Sequence, residues 1–381
     1  MQTGNMTIYY RYLREQVLET LERGKSVLIY GPRQVGKTTL VKSLIRDEHD
    51  AYFSCDDTSV AKAFSANTAS LQSLVSPYNR VIIDEAQRIV DAGIVVKILI
   101  DHFPDKQFIV TGSSALELAY GMFDALTGRV FTYSMYPLAV AELSHVDRLA
   151  PLSMRDMYLR FGMYPAVINA PTDEVRQMTL SNIAQNYLFK DTLNFEMKKH
   201  SGFLEKLVAL LASQTGSLVS YNSLANTLDA GRETIDRYLY LLTKLFIIIP
   251  LHPYHNNFKK RLTKQSKYLF WDVGIRNAMI DNFGMIDVRA DKGGLWENFI
   301  IIERMKYNDS RKFFCNYYFF RGENGAEIDL VEESGGKIRC YEIKYAAAKV
   351  SRGVANVALE LGIQKTDVTV INRDNYLQFV R

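Results

Sequence analysis

The residues best suited to chemistry lie in one short segment, GPRQVGKTT, at residues 31–39. Its glycines, lysine and first threonine have the G-x-x-x-x-G-K-[ST] spacing of a phosphate-binding loop. Gly31 and Gly36 let backbone N–H groups surround phosphate oxygens, and the helix that follows adds the positive end of its dipole. Lys37 can reach the β- and γ-phosphates, and the Thr38 hydroxyl can hold Mg²⁺. The spacing therefore predicts a nucleoside triphosphate site, and we expect ATP and Mg²⁺ as its ligands.

This loop lies between the two elements that such a loop requires. Residues 26–30 form a short apolar run of strand type, and residues 38–45 place their apolar side chains on one side of a helix. A strand before the loop and a helix after it distinguish a working phosphate loop from a chance glycine pattern. The residues predicted to contact the nucleotide are Gly31, Gln34, Val35, Gly36, Lys37, Thr38 and Thr39.

Two acids follow a second apolar run, at residues 81–83. A central parallel strand is covered on both faces and therefore reads as continuous hydrophobic sequence. Asp84 and Glu85 then emerge at the carboxyl end of this strand, beside the phosphate loop. We expect Asp84 to hold Mg²⁺ through water and Glu85 to polarise the attacking water. The alternative is a strand that merely ends in solvated acids.

Three further polar residues are candidates for sensing the phosphates. Ser113 and Ser114 follow a third apolar strand, residues 107–111, where they can contact the γ-phosphate or simply cap the helix that follows. Arg129 precedes a further strand and can act as an arginine finger or sensor, because a guanidinium stabilises transition-state charge. A surface ion pair is the alternative for Arg129.

Composition sets limits on the kind of protein. A length of 381 residues favours two or three domains, and 48% hydrophobic residues are ample for packed cores. The net charge of +4 is too mild to indicate nucleic acid by itself. Cys55, Cys315 and Cys340 are far apart, which disfavours a zinc site or a disulfide framework. No signal peptide or membrane span is visible, so we expect a cytoplasmic protein without a membrane partner.

The loop and the strand ends together resemble a known family. Residues 31–39, 81–87, 111–114 and 136–138 look like the AAA-type ATPase domain of a large prokaryotic family. In that family a domain of unknown function follows at the C-terminus, the pairing called AAA_14 with DUF4143. The resemblance covers nearly the whole chain and implies an ATPase. A homo-oligomer is a further expectation.

The middle of the chain has helix-turn-helix spacing. Residues 221–228 predict a short helix, and a longer helix from Arg232 carries one apolar stripe, with Arg232 and Arg237 off the stripe. Winged versions of this unit bind DNA or dock domains, and both alternatives stand. A basic stretch follows, which is either a solvated loop or a contact to phosphate backbone. Its members are Lys259, Lys260, Arg261, Lys264 and Lys267.

A second group of charged residues lies near the C-terminus. Asp329 is on a predicted strand, and Glu342 and Lys344 share one face of the next strand because they are two residues apart. With Glu297 on a preceding helix, this set resembles the PD-(D/E)XK nuclease core, although Ile328 replaces the usual proline. The resemblance implies that Asp329 and Glu342 chelate Mg²⁺, that Glu297 completes the metal site, and that Lys344 activates water.

The alternative for this group is a set of solvated charges on an exposed sheet. Ile338 and Cys340 lie on the same face as Glu342 and Lys344, which predicts that the face is partly buried. Partly buried acids and a lysine require each other or a metal. Acid–lysine sets also persist as structural pairs, so cleavage does not follow from the residues alone.

We therefore predict an α/β protein in three parts. Residues 1–138 form a parallel-sheet P-loop ATPase domain, residues 139–250 a helical and winged-helix domain, and residues 251–381 a nuclease-like α/β domain. The expected function is Mg²⁺-dependent ATP hydrolysis coupled to a C-terminal domain that acts on nucleic acid, with DNA as the expected partner. The alternative is a nucleotide-dependent switch or assembly module whose C-terminal domain binds but does not cleave.

Overall fold

The computed structural model describes residues 7–112, 126–190, 201–255, 265–322, 325–346, 349–364 and 367–381. The predicted sensors Ser113 and Ser114 lie outside the described residues. So do four members of the predicted basic stretch, namely Lys259, Lys260, Arg261 and Lys264.

The chain divides into two compact units. The first unit comprises Tyr10–Pro137 and Lys244–Phe246. The second unit comprises Met1–Tyr9, Leu138–Thr243 and Ile247–Arg381. Among the described residues, no helix is both long enough and apolar enough to cross a membrane.

Five strands form the sheet of the first unit. They are β1 (Ser26–Tyr30), β2 (Asp50–Ser54), β3 (Arg80–Asp84), β4 (Gln107–Gly112) and β5 (Val130–Ser134). All pair in parallel, in the order β2-β3-β4-β1-β5. The residues of β3 are all buried, as expected for an inner parallel strand covered on both faces. The predicted parallel α/β sheet is confirmed.

Helices connect the strands, because parallel neighbours can be joined only by crossovers. Leu28 of β1, Val81 of β3 and Val110 of β4 share one buried core with helical side chains such as Leu71 and Leu99. The helices of this unit are α1 (Tyr12–Glu22), α2 (Lys37–Lys42), α3 (Thr58–Ala63), α4 (Thr68–Val75) and α5 (Ala92–His102). A short 3₁₀ turn at Ala86–Arg88 follows β3.

The strand order determines which side chains meet at the carboxyl edge of this sheet. β4 lies between β3 and β1, and Thr111 of β4 pairs with Ile29 of β1. Thr111 therefore lies between Asp84, the last residue of β3, and the loop that begins after Tyr30. The acids and the phosphate loop thus share one edge, as predicted from the strand pattern.

The second unit contains a seven-stranded sheet with helices around it. Its strands are β6 (Leu218–Val219), β7 (Ile248–Pro253), β8 (Ser266–Phe270), β9 (Asn316–Arg321), β10 (Glu327–Ser334), β11 (Lys337–Ile343) and β12 (Val368–Ile371). The order is β12-β11-β10-β9-β7-β8-β6. Neighbours pair antiparallel except β7 with β9 and β11 with β12, which are parallel.

The helices of the second unit vary widely in length. The first six are α6 (Val140–Val146), α7 (Ala150–Ser153), α8 (Arg155–Phe161), α9 (Pro165–Ile168), α10 (Asp173–Lys190) and α11 (Ser201–Ser213). The others are α12 (Tyr221–Leu228), α13 (Arg232–Lys244), α14 (Val273–Met279), α15 (Lys292–Ser310), α16 (Arg352–Glu360) and α17 (Tyr376–Val380), with a 3₁₀ turn at Ile286–Val288.

Helices α12 and α13 occupy the segments with helix-turn-helix spacing. Ser220 caps α12 through its side chain, and Asp229 ends the helix in a left-handed conformation. On α13 the predicted apolar stripe is buried, including Ile235 and Leu242. Strands β7 and β8 follow as an antiparallel pair, and β6 pairs with β8 on the other side. The result is a pair of helices beside a small antiparallel sheet.

The last part of the second unit follows the order α15, β9, β10, β11, α16, β12. The hairpin of β10 and β11 places Val331 opposite Cys340, and both lie in a buried core with Val357 of α16. The pairing of β9 with β10 shifts between Ile328 and Val331, so the segment that carries Asp329 departs from a regular ladder.

Candidate functional site

The phosphate loop has a backbone that only glycine allows at two positions. Gly36 has φ of 99° where α2 begins, and Gly31 has φ of 154°. A Cβ atom at Gly31 would lie 2.1 Å from the carbonyl oxygen of Met135. The close approach of Met135, which follows β5, thus explains the first glycine, and the left-handed turn into the helix explains the second.

Lys37 is the first residue of α2 and is almost fully buried. Its ammonium donates hydrogen bonds to the carbonyl oxygens of Gly31 (2.9 Å) and Pro32 (2.6 Å). The loop's own carbonyl groups therefore hold the charge of Lys37 in this structure.

Asp84 is the most heavily hydrogen-bonded acid at this edge of the sheet. Its buried carboxylate accepts hydrogen bonds from Thr38 Oγ1 and from the Tyr52 hydroxyl, both at 2.7 Å. The Thr111 hydroxyl also donates to it. All three donors are neutral, so they orient the carboxylate without neutralising its charge.

The oxygens of Thr38 and Asp84 fit a magnesium ion. A hydroxyl and a carboxylate are hard oxygen ligands, and their contact at 2.7 Å brings them to one point in the first turn of α2. The buried negative charge of Asp84 favours a cation there. Among the contacts of the described residues, no lysine or arginine forms an ion pair with Asp84.

Asp84 also influences the pKa values of Tyr52, on the neighbouring strand β2, and of Cys55, which directly follows that strand. Burial raises the pKa of the Tyr52 hydroxyl, and its hydrogen bond to Asp84 adds to the shift. Burial also raises the pKa of the Cys55 thiol to about 12, with the charge of Asp84 as the second cause. Tyr52 therefore stays a neutral donor, and Cys55 stays a thiol rather than a reactive thiolate.

Glu85 has a backbone conformation that is unusual for its residue type. Its φ is 55°, in the left-handed region, where β3 passes into the 3₁₀ turn. Its backbone N–H donates to Thr111 Oγ1 at 3.1 Å, and its carboxylate accepts a hydrogen bond from Gln87 Nε2. Such outliers persist where the surroundings enforce them and are concentrated at functional sites.

Arg129 forms an ion pair on the surface of the first unit. Its Nε lies 2.7 Å from Asp101 Oδ1, and both side chains are about one-third exposed. The hydrogen bond to Asp101 raises the pKa of Arg129. The structure thus joins Arg129 to α5, and its role as finger or sensor stays a prediction.

Arg11, just before α1, contacts the phosphate loop and was not identified from the sequence. Its Nη1 donates to the Val35 carbonyl at 2.8 Å and its Nη2 to the Tyr136 carbonyl at 2.7 Å. One guanidinium therefore ties the loop to the segment after β5. Tyr52 and Thr111, the other donors to Asp84, were missed as well. A tyrosine two residues before a strand end is too common to identify such a contact.

Three members of the predicted C-terminal set, Asp329, Glu342 and Lys344, come together in the second unit. Lys344 Nζ lies 3.4 Å from both Asp329 Oδ2 and Glu342 Oε1. The backbone N–H of Ile343 donates to Asp329 Oδ2 at 2.7 Å, and that of Ser351 donates to Glu342 Oε2 at 3.2 Å. Lys344 thus bridges the two acids, and its side chain is 43% exposed.

Glu297 belongs to a different arrangement of acids. One carboxylate oxygen each from Glu297, Glu327 and Asp329 lies within 4.8 Å of the others, a group that does not include Glu342. Lys267 donates to Glu297 Oε1 at 2.7 Å and forms an ion pair with Glu327. Glu327 was not among the predicted ligands. Glu327 is the first residue of β10, and nothing in the sequence pattern distinguishes it from an ordinary exposed acid.

The prediction that Lys267 belongs to a solvated basic stretch is wrong. Its side chain is only 1% exposed, and it lies on β8, whose residues are all buried. The reason is its position in the sheet, where it pairs with Leu251 of β7 on one side and Leu218 of β6 on the other. It follows the basic stretch in sequence but belongs to a core strand.

These acids do not fit a divalent ion in the arrangement that the structure shows. Burial raises the pKa of Glu297 to about 7, the ammonium of Lys267 opposes the shift, and the charge of Asp329 adds to it. The positive charge that the acids require is already supplied by Lys267. We therefore assign no reaction step to a metal at this position.

Comparison with known proteins identifies the segments of the chain. Residues 23–144 match an AAA domain, residues 153–285 a domain of unknown function (DUF8612), and residues 292–377 a domain of unknown function (DUF4143). The DUF8612 match was not predicted from the sequence.

Similar proteins come from bacteria and archaea. An uncharacterised protein of Mycobacterium tuberculosis is 26% identical over 94% of this chain and 79% of its own. An uncharacterised protein of Methanocaldococcus jannaschii is 24% identical over 86% of this chain and 78% of its own. The solved Walker-type ATPase of Pyrococcus abyssi is 13% identical, with a TM-score of 0.48, over 71% of this chain and 96% of that one. With the phosphate loop in the first segment and the acid–lysine hairpin in the last, the chain combines a segment that matches an AAA domain (AAA_14) with a segment that matches DUF4143.

Proposed function

We propose that this chain binds ATP at the phosphate loop and hydrolyses it with Mg²⁺. The contact of Thr38 with Asp84 at 2.7 Å, at the residue that follows Lys37, is the observation that carries the proposal. It brings a hydroxyl, a carboxylate and a lysine to the end of one glycine loop. These are the groups that phosphate-loop enzymes use to hold a triphosphate and its metal.

Each residue at this site would have a separate task in the reaction. Lys37 would exchange its two loop carbonyls for β- and γ-phosphate oxygens, and Gly31 and Gly36 would allow the loop N–H groups to approach them. Gln34, Val35 and Thr39 would complete the wall of the site. Bound Mg²⁺, held by Thr38 and by Asp84, would neutralise charge on the phosphates.

Glu85 is our candidate for the general base. It follows the metal-binding acid directly, and Gln87 fixes the direction of its carboxylate through a hydrogen bond. A general base must lie within hydrogen-bonding distance of the water that it activates. Ser113, Ser114 and Arg129 are proposed as additional phosphate contacts, from this subunit or from a neighbour in a homo-oligomer.

We propose that the second unit is directed to nucleic acid and is nuclease-like. The helix pair α12 and α13 with its adjacent strands supports binding to DNA, and the meeting of Asp329, Glu342 and Lys344 supports the nuclease resemblance. The three-part division at residues 138 and 250 is part of this proposal.

A second candidate function is a nucleotide-dependent switch whose C-terminal part binds without cleaving. The ion pairs of Lys267 with Glu297 and Glu327 favour it, because these acids are then engaged by the chain itself. Both functions retain ATP binding, and they differ in what the second unit does to nucleic acid.

The first prediction concerns the general base. Glu85→Gln should bind ATP as the parent does but lower its turnover by about 100-fold or more, because the amide cannot accept the proton of the attacking water. Steady-state ATPase rates and nucleotide titrations measure the two effects. Lys37→Ala is the contrasting variant and should lose nucleotide binding itself. Parental turnover by Glu85→Gln would refute the assignment of the base.

A second prediction concerns the loop contact that the sequence did not reveal. Arg11→Met removes the hydrogen bond to the loop carbonyl of Val35 and the one to the Tyr136 carbonyl, so we expect about tenfold weaker binding of ATP, which corresponds to about 1.4 kcal/mol. Arg14→Met is the matched control because Arg14 is an exposed arginine in the first turn of α1, three residues after Arg11. Equal affinities of the two variants would show that Arg11 does not shape the loop.

A third prediction separates the two functions of the second unit. If the unit is a nuclease, Mg²⁺- or Mn²⁺-dependent cleavage of DNA or RNA should be abolished in Asp329→Ala and Lys344→Ala. If it only binds, the parent should retain nucleic acid without cutting it, with an affinity that falls steeply as salt rises. Salt-independent retention would exclude phosphate contacts as the basis of binding.

A further inference from the structure

The acid cluster of the second unit contains an internal cation. Lys267 Nζ contacts Glu297 Oε1 at 2.7 Å, pairs with Glu327, and lies 5.5 Å from the centre of the Phe319 ring. Two carboxylates and an aromatic face thus surround one ammonium. The same two carboxylates, with Asp329, are the ones close enough to share a metal ion.

Lys267 cannot easily leave this position. Its strand β8 is hydrogen-bonded on both sides, to β6 and to β7, and its side chain is 1% exposed. Lys344 is different, since its side chain is 43% exposed and can turn toward solvent. Lys267 is therefore part of the core, whereas Lys344 is a partly exposed neighbour of the acids.

The space around Glu297 is also restricted. A Cβ atom at Gly216 would lie 3.3 Å from Glu297 Oε2 and 2.9 Å from the Cα of Gly294. Backbone thus closes one side of the carboxylate. A magnesium ion usually retains several water molecules, for which a wall of this kind leaves little room.

A divalent ion and the lysine would compete for the same oxygens. Such ions bind carboxylate oxygens at about 2.0–2.6 Å, so an ion at Glu297 and Glu327 would stand beside a buried ammonium. Like charges at that separation repel strongly where water is excluded. At Asp84, by contrast, three neutral hydroxyl groups leave the negative charge available to a cation.

We propose that Lys267 is the permanent cation of the cluster formed by Glu297, Glu327 and Asp329, which therefore takes up no divalent ion. The second unit then holds its acids together by an internal salt bridge and does not use them for metal-dependent hydrolysis. The proposal goes beyond the ATPase function and does not depend on it. Of the two functions proposed for the second unit, it favours the one in which that unit binds without cleaving.

The test counts bound Mn²⁺ by its electron paramagnetic resonance signal in the full chain without nucleotide. Every protein carries Thr38→Ala, which removes one of the two metal ligands proposed at the phosphate loop, so that any ion remaining there contributes equally to all variants. We expect Asp329→Asn to leave Mn²⁺ uptake unchanged, because the parental cluster binds none. Lys267→Met should gain one Mn²⁺ per chain, and adding Asp329→Asn should abolish that gain.

A matched control removes another buried lysine. Lys306 is also buried and pairs with Glu303 at 2.8 Å, and neither residue belongs to the three-acid cluster. Lys306→Met should therefore gain no Mn²⁺. A gain equal to that of Lys267→Met would overturn the proposal, because the effect would then be unspecific.

Two further results would overturn the proposal. One is a Mn²⁺ ion that the parental cluster binds and Asp329→Asn loses. The other is a folded Lys267→Met variant that binds no additional Mn²⁺. The comparison of the parent with Asp329→Asn needs no change at Lys267, so it decides the proposal even where Lys267→Met does not fold.

Discussion

A single buried carboxylate organises the first unit. Asp84 accepts hydrogen bonds from the hydroxyl groups of Thr38, Tyr52 and Thr111, which belong to α2, β2 and β4. Burying a charged group is costly unless it is well hydrogen-bonded. These donors meet that requirement and connect the phosphate loop to both neighbours of β3. The hydrogen bonds to Asp84 therefore fix the position of the phosphate loop relative to the sheet.

The buried carboxylates of Asp84 and Glu297 are stabilised by different kinds of partner. Neutral donors surround Asp84, so its charge remains available to a cation. At Glu297 the partner is the ammonium of Lys267, so the opposite charge is supplied by the fold. The first arrangement suits a reversible ligand and the second a permanent structure, since breaking a buried ion pair is strongly destabilising. The two sites therefore differ in the partner of the acid, which is a set of neutral hydroxyl groups at Asp84 and an ammonium at Glu297.

Much of the first unit could be predicted because its signals are local. The glycine spacing at residues 31–36 and the buried run before Asp84 each reflect a requirement within a few residues, and parallel pairing then places both at one edge. The contacts of Arg11 and Tyr52 could not be found in this way. They join residues far apart in sequence, and arginine and tyrosine occur in many other settings.

The second unit shows where sequence proximity misleads. Lys267 follows four basic residues in the sequence, and that proximity suggested a shared role on the surface. Lys267 is buried instead, because it lies on β8, an inner strand of the sheet. There it forms an ion pair with Glu327 of β10. Asp329, Glu342 and Lys344 were easier to anticipate because a hairpin with period two brings them together.

The central claim is that Thr38 and Asp84 form the metal side of a nucleotide site. The most direct test measures ATP affinity with Mg²⁺ and with a chelator, in the parent and in Asp84→Asn. We expect Mg²⁺ to tighten binding to the parent by about tenfold or more, and to leave the affinity of Asp84→Asn unchanged, because the amide cannot supply the charge. A variant that keeps the full Mg²⁺-dependent gain would contradict this account.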